Sequence, residues 1–312
     1  MNTKIYAAVL GLFLILTVSN TAQSAAPTIV PKDFKNDRTQ EGLIGAVQFV
    51  DIQTINEYST KTSRYTMTFN TMGNLVEKVF YESDGTINWK IVFNYDAKGM
   101  KTHKNTLKGD GSLSEKEVYS YDSNGAMVKK EVYGSDGSFS EKEIYSYDSN
   151  GAMVKKEIYR SDNSISEKEV YIYDSQNRLT KREIYSGHDV LYETINYEYD
   201  SKSKLIKKTP FLTDEGNMIF GPYAPAQIRA SQLNINLSNR EYLYSYDSKG
   251  NVTKETDRSG NTVLSETVYA YKYDSKKNWI SKTTTTSMLK GLSDSQSNGG
   301  KITTKRIVTY ER

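Results

Sequence analysis

Thirteen residues, YSYDSNGAMVKKE, occupy positions 119–131 and recur letter for letter at 145–157. A copy at this spacing restricts the fold more than any single motif, because each copy must form the same supersecondary unit and bury its apolar face against the next. Counted from the Tyr of each Tyr-Asp pair, units begin at Tyr95, Tyr121, Tyr147, Tyr173 and Tyr199, always 26 apart. One step back, Phe69 opens FNTMGNL in the same frame. After an insertion, Tyr246 and Tyr273 open YDSKGNV and YDSKKNW, which makes eight units.

The alignment keeps apolar character as well as letters. Two residues before the anchor stand Met67, Phe93, Tyr119, Tyr145, Tyr171, Tyr197, Tyr244 and Tyr271. Six after it stand Leu75, Met127, Met153, Leu179, Leu205, Val252 and Trp279, with Lys101 as the exception beside Met100. Eighteen after it stand Ile87, Leu113, Phe139, Ile165, Leu191 and Leu264.

Each unit reads as two strands. SEKEVYSY alternates with a period of two and ends at DSNG, a turn signal; AMVKKEVY then runs back to a second turn, GSDG. The fold expected is all-β: an antiparallel meander of about eight 26-residue hairpins, roughly sixteen strands, curled or open-barrel and solenoid-like. The period places Glu117, Tyr119 and Tyr121 on one face, and Lys116, Val118 and Ser120 on the other. The charges of SEKE and VKKE oppose one another across hairpins and are expected on solvated faces.

The pattern Y-x-Y-D-x-x-G, repeated with a second turn between anchors, resembles the YD repeats of the RHS family over roughly residues 65–282. In the very large exported members of that family such hairpins spiral into a hollow β-shell. The resemblance implies the hairpin and its stacking; eight units are too few for a shell, so a toxin-enclosing role is not expected to carry over. The lead-in EGLIGAVQFV is similar to that of small exported bacterial YD-repeat proteins.

Lys4 precedes the apolar run AAVLGLFLILTV at 7–18, and Ala22 and Ser24 stand at cleavage spacing before Ala25. Residues 1–24 read as a secretory signal peptide, the run being short of the ~20 residues that span a bilayer. The chain has no cysteine, so it carries no disulfide and no N-terminal lipid. The expected location is secreted or periplasmic, not a lipoprotein, with no transmembrane segment after cleavage. Residues 25–45 read as an extended segment and 46–282 as the repeat domain, with an irregular insertion at 207–242. A flexible loop at 283–300 and a terminal strand at 301–312 follow.

With 41 Lys and Arg against 38 Asp and Glu, nothing in the charge favours nucleic acid. His103 and His188 have no companions at ligand spacing, and no hydrolase, zinc-protease or P-loop motif occurs. No catalytic residue, metal or cofactor is expected. The turn aspartates, such as Asp96, Asp122 and Asp148, are expected to cap their own turns rather than form a calcium ladder.

Tyrosine dominates the aromatics, 25 against 9 Phe and 2 Trp. The stripe Tyr119, Tyr145, Tyr171, Tyr197 is expected to serve as core. Its alternative use is a platform for sugar rings, to which Trp89, Trp279 and the insertion's Tyr223 would add. The function expected is a non-catalytic binding module at the cell envelope, taking a glycan or another envelope polymer. Alternatives are a structural or interaction component that partners another exported protein, and an enzyme with its site near Asp214 and Glu215 in the insertion.

Overall fold

The computed structural model describes residues 37–56, 62–213, 240–288 and 299–310. A single helical turn, α1 (Asp37–Gln40), precedes eighteen strands. The first six are β1 (Val47–Asn56), β2 (Thr62–Phe69), β3 (Leu75–Tyr81), β4 (Ile87–Tyr95), β5 (Lys101–Lys108) and β6 (Leu113–Tyr121). The next six are β7 (Met127–Gly134), β8 (Phe139–Tyr147), β9 (Met153–Arg160), β10 (Ile165–Tyr173), β11 (Leu179–Ser186) and β12 (Leu191–Tyr199). The last six are β13 (Leu205–Leu212), β14 (Arg240–Tyr246), β15 (Val252–Ser259), β16 (Thr262–Tyr273), β17 (Trp279–Met288) and β18 (Gly299–Tyr310).

Every strand pairs antiparallel with its neighbours in sequence, and β1 also pairs with β18, from Phe49↔Thr309 to Asn56↔Ile302. The sheet is therefore a closed barrel with no free edge, which settles the choice between a curled open sheet and closure. Its weakest seam is β13–β14, where only Lys207↔Leu243 and Lys208↔Tyr242 pair.

The two-strand unit is held by its turns. Asp122 Oδ1 accepts from the backbone N–H of Asn124 and Ala126, both at 2.9 Å, and Gly125 takes φ +85°. The same bonds form at Asp148, Asp174, Asp200, Asp247 and Asp274, so each aspartate caps its own turn. Lys277 holds the glycine position of the last unit at φ +69°, a left-handed conformation imposed by the surrounding turn. Five anchor tyrosines also donate their hydroxyls to a backbone carbonyl twenty residues back: Tyr95 to Leu75, Tyr121 to Lys101, Tyr147 to Met127, Tyr173 to Met153, Tyr199 to Leu179; Tyr246 makes the same bond to Leu205 across the insertion. That stitch ties unit to unit and explains the constant spacing.

All Tyr-Asp turns lie at one end of the barrel, and the other turns at the opposite end. The residues six after the anchor form the core of the Tyr-Asp end, with Leu179, Leu205, Val252 and Trp279 buried. The position eighteen after it is less uniform than expected: Leu264 is buried, whereas Ile87 is 43% exposed.

Four boundaries read from sequence need correction. Among the described residues there are eighteen strands rather than about sixteen, because β1 and β18 close the circle. Residues 37–40 are a helical turn bound to the barrel end, not part of an extended tether. The insertion is shorter than 207–242, since β13 continues to Leu212 and β14 begins at Arg240. The loop expected at 283–300 is strand up to Met288 and again from Gly299. The expected signal peptide at 1–24, the core of the insertion with Asp214, Glu215 and Tyr223, and residues 289–298 lie outside the described residues.

Candidate functional site

Closure gives the two faces of every strand different environments. The face carrying Val50, Met67, Glu143, Glu169, Ile195 and Arg306 holds most of the buried groups and is the inner wall. Along it the repeat becomes a set of layers. Tyr119, Tyr145, Tyr171 and Tyr197 form one layer, and Glu117, Glu143 and Glu169 form the next towards the far end. Between them, from the alternate strands, project Lys104, Lys130, Lys156, Arg182 and Lys208.

These layers are wired together. Tyr119 donates to Glu117 at 2.5 Å and Tyr171 to Glu169 at 2.5 Å, and Tyr145 does the same to Glu143. Glu117 pairs with Lys104, Glu143 with Lys130 and Lys156, and Glu169 with Arg182 at 2.7 Å. Burial pushes these carboxyls up, but the bonds from their basic and phenolic partners outweigh it and hold all three below the usual carboxylate range. Burial, then the adjacent carboxylate, raises the three tyrosines. Where the acidic layer is interrupted, the balance reverses. Burial lowers Lys78, Lys208 and Lys282, and raises Glu193 and Glu255.

The charged residues expected on solvated faces are therefore split. The outer set is solvated: Lys129–Glu131 at 3.0 Å, Lys155–Glu157 at 3.1 Å and Lys181–Glu183 at 2.5 Å. Further round the outside lie Arg64–Asp51, Lys90–Glu77 and Arg258–Glu241. The inner set is enclosed, with Glu143 and Glu169 only 6% and 3% exposed. Strand alternation showed which residues share a face, but not which face would turn inward.

The N-terminal segment lies across the Tyr-Asp end. Asp37 Oδ2 accepts from Leu75 N–H and Tyr95 O–H, and Lys101 lies 3.6 Å from Oδ1. Arg38 donates to the carbonyls of Gly45 and Asn70, and Asn278 exchanges two bonds with the Ile44 backbone. This anchors Glu41 where it interacts with Lys78 and Arg306 of the inner wall.

Of the residues singled out from sequence, Tyr171 and Tyr197 are buried in one hydrophobic cluster, with Tyr145 packed against it. They serve as core, leaving little ring face for a sugar; Tyr119 is half-buried on the same wall. Trp279 is buried at the Tyr-Asp end under the Arg306 guanidinium, 4.0 Å from its ring centroid. Trp89 stands apart, stacked on Phe80 at 3.7 Å and 8°, with Tyr65 next in line at 5.5 Å. This stack of half-buried rings lies on the inner wall. His188 is exposed in its turn, and among the described residues no cluster of His, Cys, Asp or Glu could hold a metal ion.

The basic arc Lys104–Lys130–Lys156–Arg182–Lys208 was missed in sequence, although its 26-residue spacing is plain once the inward face is known. Glu41 and Arg306 lie outside the repeat and carried no signal.

These features define a closed antiparallel β-barrel with a charged, tyrosine-rich interior and an ion-paired exterior. A family model described as "Uncharacterised protein" matches residues 49–164 and again 110–219, together more than half of the chain, and the chain belongs to that family. No curated protein matches the sequence. Among solved structures, a porin-like protein from Bacteroides uniformis is 11% identical, with 84% of this chain and 96% of that one covered and a TM-score of 0.42. A porin-like protein from Bacteroides vulgatus is 12% identical, covering 86% and 99%, with a TM-score of 0.29. The TcdB2-TccC3 structure is 14% identical over 81% of this chain and 15% of that one, with a TM-score of 0.35.

Proposed function

We propose that the chain is an exported, non-catalytic, water-exposed barrel that binds a polymer of the cell envelope, with a glycan as the favoured class. Export rests on the apolar run at 7–18 and the Ala22–Ser24 spacing. The kinship with RHS-type repeats is supported by the part that each Tyr and Asp of the repeated pair plays in its hairpin.

The exterior argues against burial in lipid. An outer-membrane barrel needs an outward apolar band, and each Lys or Arg facing lipid at the midplane costs about 2–4 kcal/mol. Arg64, Lys90, Lys129, Lys155, Lys181 and Arg258 all face outward from strands, spread around the circumference. Those at mid-strand, such as Lys90, would bear that cost in full, each a sizeable share of the stability of a typical domain. The barrel surface is built for water.

The observation that carries the glycan reading is the Tyr65–Phe80–Trp89 stack, in which the sequence-predicted platform residue Trp89 lies in a run of half-buried rings outside the hydrophobic clusters. Aromatic faces pack well against the apolar faces of sugar rings. The test is a pull-down on purified cell wall together with a glycan panel, comparing the wild-type chain with Trp89→Ala. Binding that falls at least about tenfold in the variant supports the reading; equal binding, or none by either protein, refutes it.

A further inference from the structure

Arg306 is the most deeply set cation of the inner wall, only 3% exposed. Its Nε and Nη2 atoms are both buried and find no acceptor among the described residues. These two donors form one edge of the guanidinium, the edge that meets a carboxylate or phosphate with two parallel bonds. Trp279 covers the face of the same group at 4.0 Å, fixing its plane. Buried donors left unmatched are costly, and a native structure that keeps two on one edge has a use for them.

A second cation converges on the same region. Lys78 of β3 projects from the inner wall with its Nζ 4.3 Å from the centroid of Tyr65. Among the described residues it makes no ion pair, unlike Lys104 and Lys130 at the equivalent places in the next two units. The difference lies in the strand beside it: Ile91 of β4 stands where later units carry Glu117 and Glu143. The repeat supplies a carboxylate to Lys104, Lys130 and Lys156 and withholds it here, as it does from Lys208 and Lys282 further round the wall. Among the described residues Glu41, from the segment that crosses the barrel end, acts electrostatically on both Lys78 and Arg306, while Asp274 acts on Arg306 alone.

We propose that Arg306 and Lys78 form an oxyanion-binding site at the Tyr-Asp end of the interior, with Glu41 as its built-in competitor. The ligand is a phosphate or carboxylate group: it docks on the Nε–Nη2 edge of Arg306, and Lys78 supplies the second charge. Glu41 repels the ligand and shares the field of the two cations while the site is empty. Burial lowers both cations, Arg306 to about 10, with Glu41 opposing the shift, so each gains from a closer negative charge. The site does not depend on the glycan reading, since inorganic phosphate has no ring to stack on Trp89.

The experiment titrates the full chain with inorganic phosphate, and in a parallel arm with glucuronate, against chloride at matched ionic strength. Calorimetry reads binding and a thermal melt reads stabilisation. Saturable one-to-one binding of at least one anion is expected, tightened at least about fivefold in Glu41→Gln and weakened at least about tenfold in Lys78→Met and Arg306→Gln. Which arm binds assigns the group as phosphate or carboxylate. Glu157→Gln, on the solvated outer face, should leave the affinity unchanged. Absence of saturable binding in both wild type and Glu41→Gln overturns the proposal, as does an affinity unaltered in Lys78→Met. Should Arg306→Gln fail to fold, the Glu41 and Lys78 variants decide alone.

Discussion

Glu143 shows how one side chain serves the barrel. It accepts from Tyr145, pairs with Lys130 and lies 3.2 Å from Lys156, so it bridges three strands. Replacing it with Ala leaves two enclosed ammonium groups short of a partner. We expect Glu143→Ala to cost about 1–3 kcal/mol in a denaturant melt, against under about 0.5 for Glu157→Ala on the solvated face. Equal effects would mean that the two faces do not differ. The tyrosines set the alkaline limit. Burial first, and neighbouring negative charge second, pushes Tyr121 and Tyr173 up to about 12, against about 10 when unfolded. A folded value above the unfolded one means that the stability is full below about pH 10 and drains away as pH rises through 12. Loss of far-UV dichroism should therefore fall between those values, and Tyr173→Phe should remove part of the phenolate absorbance that appears with it. Tyr173→Phe that instead removes absorbance rising near pH 10, with the dichroism intact, would contradict this. Individual roles were only partly legible. The turn aspartates and the core tyrosines could be read directly, since a turn cap needs only its local sequence and a buried ring only its period. Arg306 and Glu41 could not, because their meaning comes from strands far away in the chain.

At the scale of the element, the hairpin is self-sufficient in sequence but not in burial. Its turns, its bulge beside the anchor tyrosine and its stitch to the previous unit are all encoded within 26 residues. Deleting residues 121–146 joins Ser120 to Tyr147 and leaves every local signal in place. Two strands fewer narrow the circumference by about 4.8 Å each, a change that the stacked layers can absorb. We expect this shortened chain to fold cooperatively with intact β dichroism and a lower melting midpoint. An unfolded product would show that the units are not equivalent and that eighteen strands are obligatory. The unit was legible because alternation, turn chemistry and repetition all point the same way. The boundaries at 207–242 and 283–300 were misread because residues such as Thr283–Thr286 carry no alternation of apolar and polar side chains and take their strand from pairing with β16 and β18 on either side.

The whole molecule turns on closure. No repeat unit encodes it: β1 and β18 lie at opposite ends of the described chain, and neither follows the 26-residue frame. Closure is what gives the strands an inside, turning an ordinary amphipathic meander into a wall of ordered Tyr, Glu and Lys with ion pairs outside. It removes the edges that would otherwise recruit a neighbouring sheet. It also brings Arg306 on β18 beside Trp279 on β17 and opposite Ile52 on β1. Because the chain lacks cysteine, the seam can be tested without background. Thr54 and Thr304 are paired across it, with their hydroxyl oxygens 3.2 Å apart. A Thr54→Cys, Thr304→Cys chain should form an intramolecular disulfide in nearly full yield on mild oxidation, read by thiol count and by the gel shift of the looped chain. Two thiols that stay free, or that link only between molecules, would mean that the first and last strands do not meet and that the barrel is open.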